Sequence, residues 1–472
     1  MTTLRSALVP TLVAAALSAC GPSGSPPDAA DVVVTDSPVD AAPDVITDTG
    51  PDPHATLTYR PMGCNYDVST TMGTVFNQMS VDTAFGAMPD PVSVHLTWPS
   101  DPSTGVAALW STDADTLASV VEYGTSMTSL DHMQRGHVTT AGAGMNAVHE
   151  HEVHLCGLQP DTTYYYHVGG PGHFSAVHHF KTAPMPGDLT ADVNFVVTGD
   201  SREALETDPS NFPRDWHTVQ SQVATASAAQ APDFQLFTGD AIFSGTNQPG
   251  WDTWFAAAPD AFANMPWVLL NGNHEGLSLN FLAQIAQPQA TGELYFSFDY
   301  GMVHVVVLND TPSIADGMGA ITGAYATWLE QDLAAVNRTR TPWVIVTHHK
   351  GPYTTSMHAN DADVMLIRAT WPPIYDRHNV DVVINGHDHS LHVTHPLVAG
   401  AVAPSGMQGT VYVVSGGAGA PLYTTGSGAI YQDIESTLNF LLVHATAHTL
   451  SITPFRSDGT QITAGVVNLT HP

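Results

Sequence analysis

The sequence predicts an α/β domain preceded by an all-β domain. Five apolar, β-branched runs, Val193 to Thr198, Phe234 to Thr238, Trp267 to Leu270, Val344 to Thr347 and Val380 to Ile384, each end in a short polar motif. Runs of that type and length read as buried parallel strands. Helix-period stretches at Trp216 to Ala229 and Tyr325 to Asn337 fall between them, which is the strand and helix alternation of an α/β sheet. Residues 57 to about 185 instead alternate apolar and polar, as at Val92 to Trp98, His151 to Leu155 and Tyr164 to Val168, with turn residues in between.

In chain order, Met1 to Cys20 carry Arg5, an apolar stretch from Ala7 to Leu17, and the ending Leu17-Ser18-Ala19-Cys20. The stretch is short for a membrane span and fits an export signal. Its ending resembles a bacterial lipoprotein signal. That resemblance implies a lipid on Cys20 that anchors the chain to the cell envelope, and Gly21 resembles outer-membrane sorting; a signal cut elsewhere, or retained as an anchor, is the alternative. Residues 21–56 are rich in Pro, Asp, Ala and Thr and hold no Lys or Arg, the composition of a disordered tether. Asp36, Asp40, Asp44, Asp48 and Asp52 recur at helical spacing, but Pro38, Pro43, Pro51 and Pro53 interrupt any helix. The Gly and Glu of a calcium loop are missing, so a solvated spacer is the reading. Export implies an oxidising compartment, which makes Cys64 and Cys156 candidates for one disulfide with Cys20 as the odd thiol. Two buried free cysteines are the other possibility.

Within the β region, His149, His151 and His154 stand among Glu150 and Glu152. Strand geometry puts His149 and His151 on one face and His154 on the other, so these read as ordinary strand histidines rather than one metal site. The chemistry lies further on. Gly199-Asp200-Ser201-Arg202, Gly239-Asp240, Asn271-Gly272-Asn273-His274-Glu275, His348-His349 and Gly386-His387-Asp388-His389 each follow one of the five runs. In α/β sheets the carboxyl ends of the strands form the site crevice, so these ends gather carboxylates, an amide and imidazoles in one place. Oxygen and imidazole donors without thiolate suit zinc, manganese or iron. A carboxylate bridging two such ions fits an in-line phosphoryl displacement, and phosphoester hydrolysis is the expected reaction. Gly416-Gly417-Ala418-Gly419 lacks the Lys and the following helix of a phosphate-binding loop and reads as a turn beside the crevice.

Whole-chain numbers narrow the class. Of 472 residues, 43% are hydrophobic, enough for two or three domains with substantial cores. The formal net charge of -32, from 44 acidic against 12 basic residues, disfavours nucleic acid as a partner. A bound metal pair would keep the crevice locally positive and attractive to phosphate.

The ordered motifs resemble the calcineurin-like metallophosphoesterase superfamily, and within it the purple acid phosphatase branch. Tyr295-Phe296-Ser297-Phe298-Asp299-Tyr300-Gly301 with Val303-His304-Val305, and Trp328-Leu329-Glu330, resemble segments of that branch too, so the likeness covers most of residues 190–455. Leu158 to Tyr166, closed by Phe180-Lys181-Thr182, resembles a fibronectin type III sandwich, which the branch commonly carries ahead of its catalytic domain. The implied fold is a β-sandwich (fibronectin III-like) followed by an α/β four-layer sandwich of two mixed sheets flanked by helices, the late strands at Thr410 to Ser415, Leu438 to Ala447 and Thr449 to Phe455 supplying the second sheet. The implied organisation is a signal at 1–20, a tether at 21–56, the β domain at 57–186 and the metallophosphoesterase domain at 187–472.

Carried over residue by residue, the resemblance implies two divalent or trivalent ions (Fe, Zn or Mn). Asp240 would bridge them, Asp200 and His389 complete the first site, and Asn273, His348 and His387 hold the second. His274 falls where the family assists the leaving group. Two departures matter. The purple branch has a Tyr ligand where this chain has Phe243, and the wider superfamily often has a His where this chain has Arg202. The first site is therefore one protein ligand short, water can fill the gap, and the tyrosinate-to-iron colour should be absent. Arg202 has two readings, a fork that grips phosphate beside the metals or a salt bridge that pins its loop. In the fourth motif His348 is placed as the ligand because it directly follows the strand, with His349 as an outer or substrate contact; a shift of one residue exchanges them. The expected function is an exported, lipid-anchored phosphatase acting on small phosphomonoesters through a hydroxide bound to the metals. A phosphodiesterase with the same site, or a noncatalytic surface binding protein on a degenerate fold, are the alternatives.

Overall fold

Strand parity decides the layering. In a computed structural model that describes residues 57–70, 73–75, 79–202, 212–226, 232–289, 293–312 and 317–471, two mixed sheets stack face to face. The first runs in the order Trp267–Leu269, Phe234–Phe237, Val193–Thr198, Asn439–Ala445, Thr449–Arg456, Val467–Thr470. Its first three strands are mutually parallel and the rest antiparallel. The second runs Phe296–Tyr300, Val303–Val307, Trp343–Lys350, Val382–Gly386, Val411–Ser415, Leu391–Thr394, Tyr431–Glu435, with four parallel strands in its middle.

Successive residues point to opposite faces. Phe195, Val197 and Leu236 therefore meet Val305, Ile345 and Ile384 between the sheets. Val196, Phe237 and Leu269 face outward under Trp216, Trp254 and Phe262 of the helical layer. On the other side Val344, Val346 and Val383 face Leu329, Ile367, Trp371 and Tyr375. The result is four layers, helix, sheet, sheet, helix, as the fold expectation has it. The late strands depart from it, because they divide: Val411–Ser415 joins the second sheet, whereas Asn439–Ala445 and Thr449–Arg456 extend the first. The motif-bearing strands likewise come three from one sheet and two from the other, so the crevice lies across the ends of both sheets rather than along one.

The helices run Phe212–Ala226 and Ala326–Ala335, close to the stretches with helical period. Ahead of them, Gly73–Val75, His137–Ala141, Val148–Cys156, Gly105–Asp113 and Val92–Thr97 form one sheet of the N-terminal domain, and a second is built around Thr163–Gly170. Its histidines are structural. His151 stacks on Trp110 and is bonded to Thr112 and Ser119, while His154 is bonded to Tyr66 and Glu152. Cys64 and Cys156 are disulfide-bonded. Cys20, the residue 21–56 tether and its aspartate series lie outside the described residues.

His304, on the Val303–Val307 strand, is held between Asp299 at 2.7 Å and Asp332 at 3.0 Å. Burial favours the neutral ring, but these two carboxylates outweigh it and raise the imidazole to about 9. A pKa raised above the unfolded value adds stability that is complete below about pH 6.5 and is lost as pH climbs toward 9. At roughly 1.4 kcal/mol per pH unit this is on the order of 3 kcal/mol. Denaturant unfolding of His304→Gln and the parent across pH 6 to 10 should show that fall in the parent and a flatter curve in the variant.

Candidate metal centre

Three residues of the motifs sit in the left-handed backbone region that β-carbon-bearing residues rarely adopt: Asp200 (φ 58°), Asp240 (φ 57°) and His387 (φ 68°). Each directly follows a glycine at the end of its strand, so the chain turns sharply and aims the side chain across the crevice. Two of those motifs also need glycine for proximity. A β-carbon on Gly272 would lie 2.2 Å from Asp240 Oδ1, and one on Gly386 would lie 2.3 Å from Asp200 Oδ2.

Backbone and buried side chains fix the carboxylates. The His387 amide donates to both oxygens of Asp200 at 3.0 and 2.9 Å, and the His274 amide donates to Asp240 Oδ1 at 2.9 Å. Glu275 accepts from the amides of Asp240, Ala241 and Gly272 at 2.7 to 2.8 Å, which ties the second and third motifs together. The Gly416 to Gly419 turn lies beside the crevice, where Ala418 and Ala420 donate to the carbonyls of Gly199 and Asp200.

Among the described residues two fully buried donor groups result, and a third, more exposed one joins His358 and Asp361 to His387. Asp200, Asp240 and His389 converge in one of the buried pair, and Asp240, His349 and His387 in the other, with Asp240 common to both. Asn273 joins the second, its Oδ1 3.1 Å from His349 Nε2. His389 donates through Nδ1 to the Pro421 carbonyl at 2.7 Å, and His349 through Nδ1 to the Thr238 carbonyl at 2.8 Å. Those bonds set the tautomers, leaving Nε2 of each ring as the ligand atom. His389 Nε2 and His387 Nδ1 are buried without a hydrogen-bond partner. Buried, unsatisfied nitrogen lone pairs facing buried carboxylates fit cations, and the donor set of oxygen and imidazole fits zinc, manganese or iron.

Electrostatics agree. Burial pushes Asp200 well above the carboxylate range against the pull of His349, and the neighbouring Asp240 adds to the rise. Asp240 is as buried, yet His349, His274 and His387 hold it below that range. Burial alone would keep His349 neutral, but Asp240 first, and Asp200 after it, raise the ring to about 10, so a proton stands there for the positive charge a cation would bring. Burial and Arg202 lower His389 to about 3, and burial and His349 lower His387, so both rings are neutral as ligands must be.

The structure exchanges the two histidines of the fourth motif. His348 continues the helix-facing set of Val344 and Val346, bonds Asp310 through Nδ1 at 3.0 Å and packs edge-on against Trp371. His349 continues the set of Ile345 and faces the carboxylates, 3.3 Å from Asp240 Oδ1. It is therefore His349, and not the expected His348, that stands in the donor group with Asp240 and His387. Arg202 lies 3.6 Å from Asp240 Oδ2, with its guanidinium over the Phe243 ring, an arrangement that supports the loop-pinning reading and still leaves it beside the crevice. His274 donates through Nδ1 to the Phe243 carbonyl and holds Nε2 3.8 Å from Asp240 Oδ2. Burial lowers its pKa despite Asp240.

Two further residues reach the crevice from loops. His358, held by Asp361 at 2.8 Å, lies with its ring 4.2 Å from His387, and Tyr423 stacks on His389 at 4.0 Å. Polar and aromatic residues in long loops after motif-bearing strands were the available signal. A cleft of about 750 Å³ lined by Tyr66, Asp101, Phe298 and Asp299 holds none of these groups.

Two family profiles match the chain: Purple acid Phosphatase, N-terminal domain, over residues 91–182, and Calcineurin-like phosphoesterase over residues 193–391. Among its relatives, Purple acid phosphatase 22 of Arabidopsis thaliana is 30% identical over 318 residues, 64% of this chain and 66% of that one. Purple acid phosphatase 21 of the same plant is 29% identical over 348 residues, 70% and 71% of the two chains. The chain thus spans about two thirds of the length of these curated relatives. A purple acid phosphatase from yellow lupin (Lupinus luteus) seeds superposes with a TM-score of 0.67 at 19% identity over 81% of this chain and 74% of that one. The structure of PhoD gives 0.58 at 14% identity, over 82% and 94%. At those identities the likeness is one of fold.

His349→Ala should lose at least one bound ion per chain by elemental analysis, about a tenfold or greater loss of affinity, whereas His348→Ala should keep both ions and lose thermal stability. The parent loaded with iron should lack tyrosinate-to-iron absorption in the visible spectrum, and Phe243→Tyr should introduce it.

Proposed function

Because the chain belongs to the calcineurin-like phosphoesterases, in the purple acid phosphatase branch by its two domains together, we propose that it is a metal-dependent phosphatase hydrolysing small phosphomonoesters. The observation that carries the reading is Asp240, buried and common to two three-residue donor groups. One carboxylate shared between two cation positions is what a phosphoryl clamp requires. When bound, the ions supply Lewis-acid activation of the phosphoester and of water. Asp200 and His389 would hold one, and Asn273, His349 and His387 the other.

The remaining side chains have separate work. Asn273 is exposed at the mouth of the crevice, where its amide can also donate to a phosphate oxygen. Arg202, already beside the bridging carboxylate, adds a fixed positive charge to the same opening and favours a dianionic monoester over a monoanionic diester. His274 faces the crevice with Nε2, and because Nδ1–H is committed to the Phe243 carbonyl and burial lowers its pKa, it can hand a proton to a departing alkoxide only as the imidazolium, which acid pH favours. The resemblance of Met1 to Cys20 to a lipoprotein export signal supports the reading that this activity lies in the cell envelope, outside the cytoplasm, with Cys20 as the proposed lipid anchor.

The test is metal content together with turnover of an aryl phosphate monoester and its diester. Two ions per chain with monoester preference supports the phosphatase. Diester preference would replace it with a phosphodiesterase, and neither ions nor turnover after supply of zinc, manganese or iron would indicate a binding protein. Asp240→Asn should lower monoester turnover by a hundredfold or more, on the order of 3 kcal/mol in the barrier, and reduce bound metal.

A further inference from the structure

The N-terminal sandwich sends an acidic side chain into the catalytic domain that none of the motifs accounts for. Glu150, on the Val148–Cys156 strand, is 2% exposed. Its Oε2 accepts from Ser111 Oγ at 2.7 Å on the neighbouring strand. Its Oε1 accepts from two glutamines of the other domain, Gln248 Nε2 and Gln284 Nε2, each at 3.0 Å, and both glutamines are buried. A carboxylate taken out of water needs such donors, and here three supply them.

Each glutamine lies in the segment that follows one of the motifs, at one end of a helix. Gln248 opens the Gln248–Ala256 helix at the end of the loop that begins with Asp240. Gln284 closes the Leu279–Ala283 helix at the end of the loop that carries Asn273 and His274. Gln248 Oε1 also accepts from Asn280 Nδ2 at 3.0 Å, so the two helices are tied to each other as well as to Glu150. Nearer the crevice the same loops touch where Gly245 donates to the His274 carbonyl at 2.8 Å and Trp251 Nε1 donates to the Gly245 carbonyl at 3.0 Å. The sandwich strand beside Glu150's sheet partner continues the attachment: Thr97 exchanges hydrogen bonds with Ala286 at 3.1 Å, and His95 Nε2 lies 2.9 Å from the Gln284 carbonyl.

We propose that Glu150 is a positioning residue of the metal centre, a sandwich carboxylate that gathers Gln248 and Gln284 and thereby sets the distance between the loop of Asp240 and the loop of Asn273 and His274. This rests on the phosphatase reading for its activity arm and on the donor geometry alone for its metal arm. Removal of the carboxylate takes the acceptor from the buried Gln284 amide, leaves the Gln248 amide with Asp252 Oδ1 alone at 3.1 Å, and breaks the bridge between the two segments. The isosteric amide is different. In Glu150→Gln the carbonyl oxygen still accepts from both glutamines, and the new NH₂ donates to the Ser111 hydroxyl, which turns to accept.

The experiment uses the full chain with Glu150→Ala, Glu150→Gln and Gln248→Met, the last keeping volume while removing the amide. Each is titrated with manganese and with zinc, and kcat and KM for an aryl phosphate monoester are measured at a temperature where all are folded. Glu150→Ala and Gln248→Met should weaken metal binding about tenfold or more and lower kcat by a similar factor with KM little changed, while Glu150→Gln stays within about threefold of the parent. If both disruptive variants bind metal and turn over like the parent and only melt earlier, Glu150 is a structural residue and the proposal falls. Should Glu150→Ala fail to fold, Gln248→Met decides by the same criterion. A parent without turnover overturns the phosphatase reading, and the metal titrations then judge Glu150 on their own.

Discussion

Everything in the catalytic domain is arranged around two carboxylates that cannot both be charged where they are. Asp200 and Asp240 are fully buried and stand side by side at the ends of two neighbouring strands of the first sheet. Like charges at that separation in a low-dielectric interior drive one of the pair toward neutrality unless positive charge is supplied. The chain supplies part of it, through His349, His274 and Arg202, and leaves lone pairs of His389 and His387 unsatisfied at the same place. The left-handed turns at Asp200, Asp240 and His387, and the glycines that admit carboxylate oxygens to within a β-carbon's reach, are the local strain that this geometry requires. Strain of this kind persists only in a frame that over-determines it, and the four packed layers are that frame.

Much of this was legible because it is local. A β-branched run followed by Gly-Asp or Gly-His is read from neighbours in sequence, and all five strands lie within a few residues of where the pattern puts them. Alternation is legible in the same way at the fourth motif. Val344 and Val346 share one parity and Ile345 the other, and although the pairing with Val382–Gly386 is irregular between Thr347 and Lys350, His348 stays on the helix-facing side and His349 on the crevice side. A strand presents two faces and only one of them meets the site, so following a strand directly does not by itself name the residue that enters it.

The distribution of the late strands was not legible in the same way. Val411–Ser415 and Asn439–Ala445 are both largely apolar and largely buried, and nothing in either states that one pairs with Val382–Gly386 and the other with Val193–Thr198. Such pairings join strands distant in sequence and are not marked by residues local to either strand. His358 and Tyr423 escaped for a related reason. Each acts through a contact made in three dimensions, His358 on His387 and Tyr423 on His389, and neither sits in a pattern of its own.

The sandwich is the clearest case of a part whose sequence announces shape and conceals consequence. Its histidines draw attention and are structural, whereas Glu150 between two of them reaches into the catalytic domain. That reach is effective because the junction is rigid. Trp98 of the sandwich packs among Phe234, Phe298 and Tyr300 at ring separations of 5.3 to 5.7 Å, and one apolar core runs from the sandwich strands through the space between the catalytic sheets. Tyr166 further donates to the Ala263 carbonyl at 2.6 Å. A core packed at crystal-like density transmits displacement rather than absorbing it. Loops tethered at one end to such a core and at the other to a shared carboxylate can move apart only by breaking buried hydrogen bonds. The two-domain arrangement is therefore part of the metal centre's geometry, and the sandwich holds the second and third motifs at a fixed separation from outside the domain that bears them.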